Sequence, residues 1–314
     1  MGYLMVLHAQ VVKGVKTEGV SSFFHRVRVF VNNCNAIQLD IPSFVDVLTT
    51  FSRLTLDTNA MGSIPTLSKA IRKIQQTQDH LTPLHCLLLR ACLQSMNYAA
   101  AIPFLEDRIF ELDKSIGKNI ESVLLFFYYG GCVMIGSKKF SRAFDLLRMT
   151  FTVPAQCLSA ITIESYKKYV CVCLLVRGEV VSPPRMGASS SLFRDLKHIC
   201  GAYLDLERAY KEGRGMKEVV DRHIGVFTFD QNFGLVKQVS ESARRKKVKN
   251  LTKTYLSLPL SDIDKTMGEE EGNEKKGTGE KKGEGEDLLI DMAERGEIKC
   301  LVDEKNGVVR FREG

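Results

Sequence analysis

No apolar run in this sequence is long enough to cross a membrane. The longest nearly uncharged stretch, Val123 to Gly136, falls short of the roughly 20 residues a membrane helix needs, so no transmembrane protein is expected. The opening Met1-Gly2-Tyr3-Leu4 lacks a basic region, and Lys13 soon interrupts the apolar residues, so no secretory signal is read there. Val6 stands where an N-myristoylation signal wants Ser or Thr. None of the nine cysteines forms a CxxC pair, Cys171 and Cys173 being one residue too close, and structural zinc is not expected. A phosphate loop ending in GK[ST], a GxSxG elbow, HExxH and a His-x-His pair are all missing. The histidines (His8, His25, His80, His85, His198, His223) are scattered. No catalytic, cofactor-binding or metal-binding set is assigned.

What is present describes an ordinary folding chain. Its 314 residues suit two domains, and 44% hydrophobic with 26% charged residues is enough to form a core. The odd cysteine count, mostly inside apolar helical runs, reads as reduced thiols used as small hydrophobes in a cytosolic or nuclear protein, and the expected location is the cytoplasm and nucleus. Lysine and arginine number 44 against 37 acidic residues, a charge of +7 that permits weak association with nucleic acid without demonstrating it. Part of the excess sits in Arg244-Arg245-Lys246-Lys247 with Lys249, a basic patch read as a solvated helix end, the alternative being a nuclear-import or phosphate contact. His85 and Cys86 are adjacent, but neighbouring helix positions point about 100° apart and make no nucleophile–base pair.

From Leu81 to about Tyr210 apolar residues recur at helical spacing. Leu84, Leu87, Leu88 and Ala91 predict a first helix; Ile102, Leu105, Ile109 and Leu112 a second; Leu124, Phe127, Tyr128 and Gly131 a third. Phe140, Ala143, Phe144 and Leu147 predict a fourth, Tyr166, Tyr169, Val170 and Cys173 a fifth, and Tyr203, Leu206 and Tyr210 a sixth. The hairpin from Leu124 to Pro154 has the grammar of a tetratricopeptide repeat, with Gly131 as the point of close approach and Pro154 as the stop. The pattern as a whole is a stack of helical hairpins. Upstream, Val20 to Val31, Phe44 to Leu54 and Leu67 to Ile74 read as helices, with a turn at Gly62 to Pro65. The apolar Leu4-Met5-Val6-Leu7 opens an uncapped first helix, so an earlier part of the solenoid is expected to be missing or supplied by a partner.

Val181 to Ser191 is a loop by composition. A helix follows from Phe233 to about Asn250, then an extended Tyr255 to Leu260, and a short helix with Ser261 as its N-cap. Gly268 to Glu286 carries no apolar residue and is expected to be a disordered loop. Asp287 to Arg295 returns to helix, capped by Gly296, and Glu297 to Val302 with Val308 to Arg312 form a hairpin around Asn306-Gly307. Helix, strand, helix, helix, hairpin is the order of a winged helix. Asp287, Asp291 and Glu294 on its last helix would face phosphates, so nucleic acid is not an expected partner.

Helical hairpins followed by a C-terminal winged helix resemble the PCI family, which supplies scaffold subunits to the proteasome lid, the COP-nine signalosome and a translation initiation complex. Five blocks are similar to the branch that provides the signalosome's third subunit: Phe126-Phe127-Tyr128-Tyr129-Gly130-Gly131; Glu164-Ser165-Tyr166-Lys167-Lys168-Tyr169; Asn232-Phe233-Gly234-Leu235-Val236-Lys237-Gln238; Leu251-Thr252-Lys253-Thr254-Tyr255-Leu256-Ser257-Leu258; and Met292-Ala293-Glu294-Arg295-Gly296-Glu297-Ile298 with Gly307-Val308-Val309-Arg310-Phe311. The resemblance implies a mainly α fold: a right-handed α-solenoid of tetratricopeptide-like hairpins over residues 1–215 and a winged-helix part of a PCI domain over 216–314, holding the 268–286 loop. It implies a non-catalytic scaffold, without cofactor, whose partners are other signalosome subunits through winged-helix pairing and, indirectly, cullin-RING ligases. Catalysis in that complex, which removes a ubiquitin-like modifier from cullins, belongs to a zinc-dependent subunit. The assembly edge implied here is Leu256 and Leu258 on the short strand with Val309 and Phe311 on the hairpin; their alternation fits a domain core equally well. The family continues past the hairpin into a C-terminal helix, for which this sequence has no counterpart after Gly314. The alternatives are a PCI subunit of the proteasome lid or initiation complex, and an RNA-binding PCI protein using the basic cluster.

Overall fold

Phe23, Val27 and Val31 recur every four residues, and all three are buried. That stripe makes helix α1 (Thr17–Asn33) an amphipathic element needing a partner. A computed structural model describes residues 17–75, 77, 80–106, 111–112, 120–153, 158–182, 190–263, 284–303 and 307–311. Among these, residues up to Ser165 with 190–192 belong to one compact unit, and Tyr166–Ser182 with those from Phe193 onward to a second. The opening apolar residues of the predicted first helix lie outside the described residues, as do Pro154 and most of the 268–286 tract.

In the first unit each long helix packs on the next: α1 on α2 (Ile41–Ile74), α2 on α3 (Leu84–Gln94), α3 on α5 (Ile120–Gly136), and α5 on α6 (Phe140–Met149). Phe24 meets Phe51 edge-on across the α1–α2 contact, with ring centroids 5.5 Å apart. This is the helical-hairpin order that the apolar periodicity predicts.

Two local expectations are corrected. The turn expected at Gly62 to Pro65 is helical, and the chain instead breaks at Asn59, whose backbone is extended (φ −155°, ψ 70°). The Asn59 side chain accepts the Gly62 N–H at 2.8 Å and caps the second half of α2. Gly62 leaves room for that cap: a Cβ there would lie 2.8 Å from the Asn59 amide nitrogen and 2.9 Å from Arg28, and these side chains would have to shift. The single helix expected from Ile102 to Leu112 is also absent. A short α4 (Pro103–Glu106) precedes an extended pair, in which β2 (Glu111–Leu112) runs parallel to β1 (His80–Leu81).

Gly131 is the close-approach residue the repeat grammar requires, since a Cβ would stand 2.6 Å from Leu147 Cδ2 of α6. Gly130 meets Leu105 in the same way, at 2.8 Å. The buried stripe of α5 is rotated from the expected one. Val123, Leu124, Phe126, Gly130, Gly131, Val133 and Met134 are buried, while Phe127 and Tyr128 are half-buried. The helix ends with the N–H of Lys139 bonded to Met134 O and that of Lys138 to Ile135 O, a Schellman closure with Lys138 in the left-handed region.

The second unit begins within α7 (Ala160–Arg177), which from Tyr166 to Leu174 buries Tyr166, Tyr169, Val170, Cys171, Val172, Cys173 and Leu174. After α8 (Ser190–Ile199) come α9 (Gly201–Glu212), α10 (Met216–Arg222), α11 (Ile224–Phe229) and the long α12 (Phe233–Thr254). The boundary expected at residue 215 falls between α9 and α10, inside this unit. The winged helix is built from α12, β3 (Ser257–Pro259), α13 (Glu284–Glu294), β4 (Cys300–Asp303) and β5 (Val308–Phe311).

Its core is Val248, Ile263, Leu289, Met292, Ile298, Val309 and Phe311. Residues 260–263 are helical, so Ser261 lies inside that turn instead of capping it. Glu284 to Glu286, expected to end the disordered loop, belong to α13. Gly296, at φ 69°, closes α13 as predicted, with the Glu297 N–H bonded to Met292 O. The sheet order is β3-β5-β4, every pair antiparallel, with Leu258 and Val302 both opposite Val309.

Candidate assembly surface

A three-stranded sheet offers backbone only along its outer strands. Here the outer strands are β3 and β4, and β5 lies between them. The expected assembly edge therefore divides. Val309 and Phe311 are buried core residues on the central strand, where their main chain is already paired, so they do not form an edge. Leu258 is half-buried against the same core. Leu256 is 74% exposed, just before β3, and its carbonyl accepts the Phe311 N–H at 2.8 Å.

Sequence reading missed three further exposed apolar side chains of the winged helix: Tyr255, Ile290 and Leu301, the last 51% exposed and opposite Arg310 on β5. The signal for Leu301 was available. Once Cys300 and Val302 pack inward, strand alternation turns Leu301 outward. The winged helix thus presents apolar side chains beside two outer strands.

The basic cluster is engaged within its own unit. Arg245, with a side chain 17% exposed, pairs with Glu241 at 2.7 Å, Asp291 at 3.0 Å and Glu297 at 3.3 Å. Lys249 completes the set at 2.7 Å from Glu297. The hydrogen bond from Lys249, opposed by burial and aided by the charges of Lys249, Arg245 and Arg295, holds the Glu297 carboxyl below the usual glutamate range. Lys246 donates to the Gly178 carbonyl at 3.0 Å and lies over the Tyr210 ring. Arg244 and Lys247 are half-buried on the same helix. A phosphate reaching Arg245 or Lys249 would have to displace carboxylates already bound there. Asp291, on the last helix, is held by Arg245 and by Arg295 at 3.0 Å.

A second polar set lies deeper. Lys167 Nζ is 2.7 Å from Asp230 Oδ1, and the Asp230 side chain is only 4% exposed. The Tyr203 hydroxyl donates to Asp230 Oδ2 at 2.9 Å and accepts from Asn232 Nδ2 at 2.8 Å. Burial raises the Tyr203 phenol well above its ordinary range, so it stays protonated and serves as donor. Two blocks that carry the family resemblance, one containing Lys167 and the other Asn232, meet in this network. It orders the approach to α12, the helix that enters the winged-helix core.

The remaining reactive groups are dispersed. His85 Nδ1 accepts the Thr82 N–H at 3.0 Å, and burial lowers its pKa to about 4, so the ring is neutral. Cys86, its chain neighbour, donates instead to Ser122 O at 2.8 Å. Burial pushes the Cys86 and Cys171 thiols up to about 12 and those of Cys92 and Cys173 up to about 11. His223 Nε2 lies 3.0 Å from Asp205. Among the described residues no cluster of three His, Cys, Asp or Glu side chains is arranged to hold a metal, and no helix is long and apolar enough to cross a membrane. His8 is outside the described residues.

Comparison with known families agrees with this architecture. Residues 1–191 match the family described as COP9 signalosome complex subunit 3, N-terminal helical repeats, and residues 220–313 match the PCI domain. Over its whole length the chain is 31% identical to the COP9 signalosome complex subunit 3 of Arabidopsis thaliana, covering 71% of that protein. It is 28% identical to the protein of the same name from Dictyostelium discoideum, covering 73%.

Proposed function

This chain belongs to the family of COP9 signalosome complex subunit 3, and we propose that it works as a non-catalytic scaffold subunit of that complex. The observation that carries the reading is the match of the helical repeats and the PCI domain, in that order, to one subunit family over most of the chain. The proteasome-lid, initiation-complex and RNA-binding readings have no comparable support, and the last is further weakened by the internal pairing of Arg245, Lys246 and Lys249.

Scaffolding here means presenting the outer strands β3 and β4, with Leu256 and Leu301 beside them, to winged helices of neighbouring subunits. Strand addition supplies main-chain hydrogen bonds, and the flanking apolar side chains supply burial. Cullin-RING ligases are reached indirectly, through the assembled complex, in the cytoplasm and nucleus. Hydrolysis of the modifier is left to another subunit.

A tagged chain recovered from cells, with partners identified by mass spectrometry and cullin deneddylation assayed in the eluate, tests this. The expected outcome is recovery of the other signalosome subunits together with activity. Recovery of lid or ribosomal proteins without a deneddylase would overturn it.

A further inference from the structure

At the C-terminal end of α1 a thiol and an amine stand side by side. Lys73, in the last turn of α2, donates to the carbonyls of Cys34 at 2.6 Å and Asn32 at 3.3 Å, where its charge suits the end of a helix. The same Nζ lies 3.7 Å from Cys34 Sγ. The thiol hydrogen is directed to Val31 O, 3.8 Å away, which leaves sulfur lone pairs toward the lysine. Cys34, like Cys132 and Cys300, is half-buried, whereas Cys86, Cys92, Cys171, Cys173 and Cys200 are buried. Oxidant access and a nitrogen neighbour therefore coincide at Cys34.

We propose that Cys34 and Lys73 form a reversible oxidative cross-link that ties the end of α1 to the end of α2. A hydroperoxide supplies the oxidising equivalents. The Cys34 sulfur attacks one peroxide oxygen as its proton passes to the departing one; the S–O bond forms as the O–O bond breaks, giving a sulfenic acid and, from hydrogen peroxide, one water. Sulfenic acids condense with a backbone nitrogen to a sulfenamide, and here the nitrogen at hand is a side-chain amine. The Lys73 ammonium first gives one proton to solvent; the free amine attacks the sulfur, the S–N bond forms, the S–O bond breaks, and the departing hydroxide takes a second proton from the nitrogen as another water. Sulfur loses two electrons and the peroxide gains two. Two equivalents of a thiol reductant restore the free cysteine and lysine and leave as one disulfide.

The link spans the connection holding the short 3-10 turn Ala36–Gln38, so oxidation would fix the first two helices of the repeat unit against each other without touching the winged helix. It depends only on α1 and α2, and stands or falls separately from the scaffold reading.

The test uses the full chain, treated with dilute hydrogen peroxide, alkylated and digested with trypsin without reduction. The expected product joins the Cys34 and Lys73 peptides, is lighter than their sum by two hydrogens, carries a missed cleavage at Lys73, and disappears with dithiothreitol. It is lost in Cys34→Ser and in Lys73→Arg, the latter keeping the cation at the same carbonyls, with folding checked by circular dichroism. Recovery of Cys34 as sulfinic or sulfonic acid with Lys73 unlinked would overturn the proposal, as would a link that forms equally in Lys73→Arg.

Discussion

The two compact units are held together by different chemistry. In the first, α5 meets α6 and α4 through bare glycine backbone pressed against leucine, with Gly131 on Leu147 and Gly130 on Leu105. In the second, distant segments are joined by polar and charged side chains: Lys167 to Asp230, Tyr203 to Asn232, and Arg245 to Asp291 and Glu297. Apolar seams tolerate small shifts and cost little to desolvate. Buried ion pairs require accurate geometry and become costly once a partner is lost. A repeat unit built by stacking suits the first, and a junction that must hold α12 in one orientation suits the second.

The sharpest way to break this contrast is at the deeper ion pair. Lys167→Met leaves Asp230 buried and unpaired, and a loss of about 3–5 kcal/mol is expected in urea unfolding. Lys167→Met with Asp230→Leu should recover part of it, because two apolar side chains leave no orphaned charge, although the Tyr203 hydroxyl loses its acceptor. A double variant as unstable as the single one would show that the pair does more than neutralise itself.

The apolar seam is tested by Gly131→Ala. The added methyl must displace Leu147, at a cost of about 1–3 kcal/mol. Leu147→Ala in the same chain should offset part of that cost. Additive losses in the double-mutant cycle would place the strain elsewhere.

The smallest effect is expected at the partly exposed pair of Glu297 and Lys249. Because the folded state holds the Glu297 carboxyl below its ordinary value, its contribution is complete above the unfolded value of about 4.3 and is lost as pH falls through the lower, folded value. Thermal melts between pH 7 and pH 3 should show a shallower acid decline for Glu297→Gln than for the parent chain. Identical slopes would remove this group from the acid response.

The same contrast explains what could be read from the sequence. Apolar periodicity lays out α3, α5 and α6, and the repeat grammar singles out Gly131, because packing on a helix face repeats in register with the chain. Gly296 and Gly307 close their turns at positive φ, as their positions in the sequence imply. The Asn59 break was invisible because Gly62 and Pro65 are stronger local turn signals, and they lost to a cap that only the folded α2 reveals. Lys167 and Asp230 are 63 positions apart, and no local pattern announces such a partner. The alternation of Val309 and Phe311 fits core and edge equally. Strand alternation identifies the inward face, but only strand order shows that β5 is in the middle.

That strand order has a consequence for how the chain comes off the ribosome. Among the described residues β3 and β4 each pair only with β5, which follows both of them in the chain. While β5 is still inside the exit tunnel, neither outer strand has a neighbour, and the core still lacks Val309 and Phe311. The first unit can stack helix by helix during synthesis, whereas the winged helix must close in a single late step. A nascent chain stalled before Val308 would therefore carry two unmatched strands into the cell, and quality control would meet it in that state.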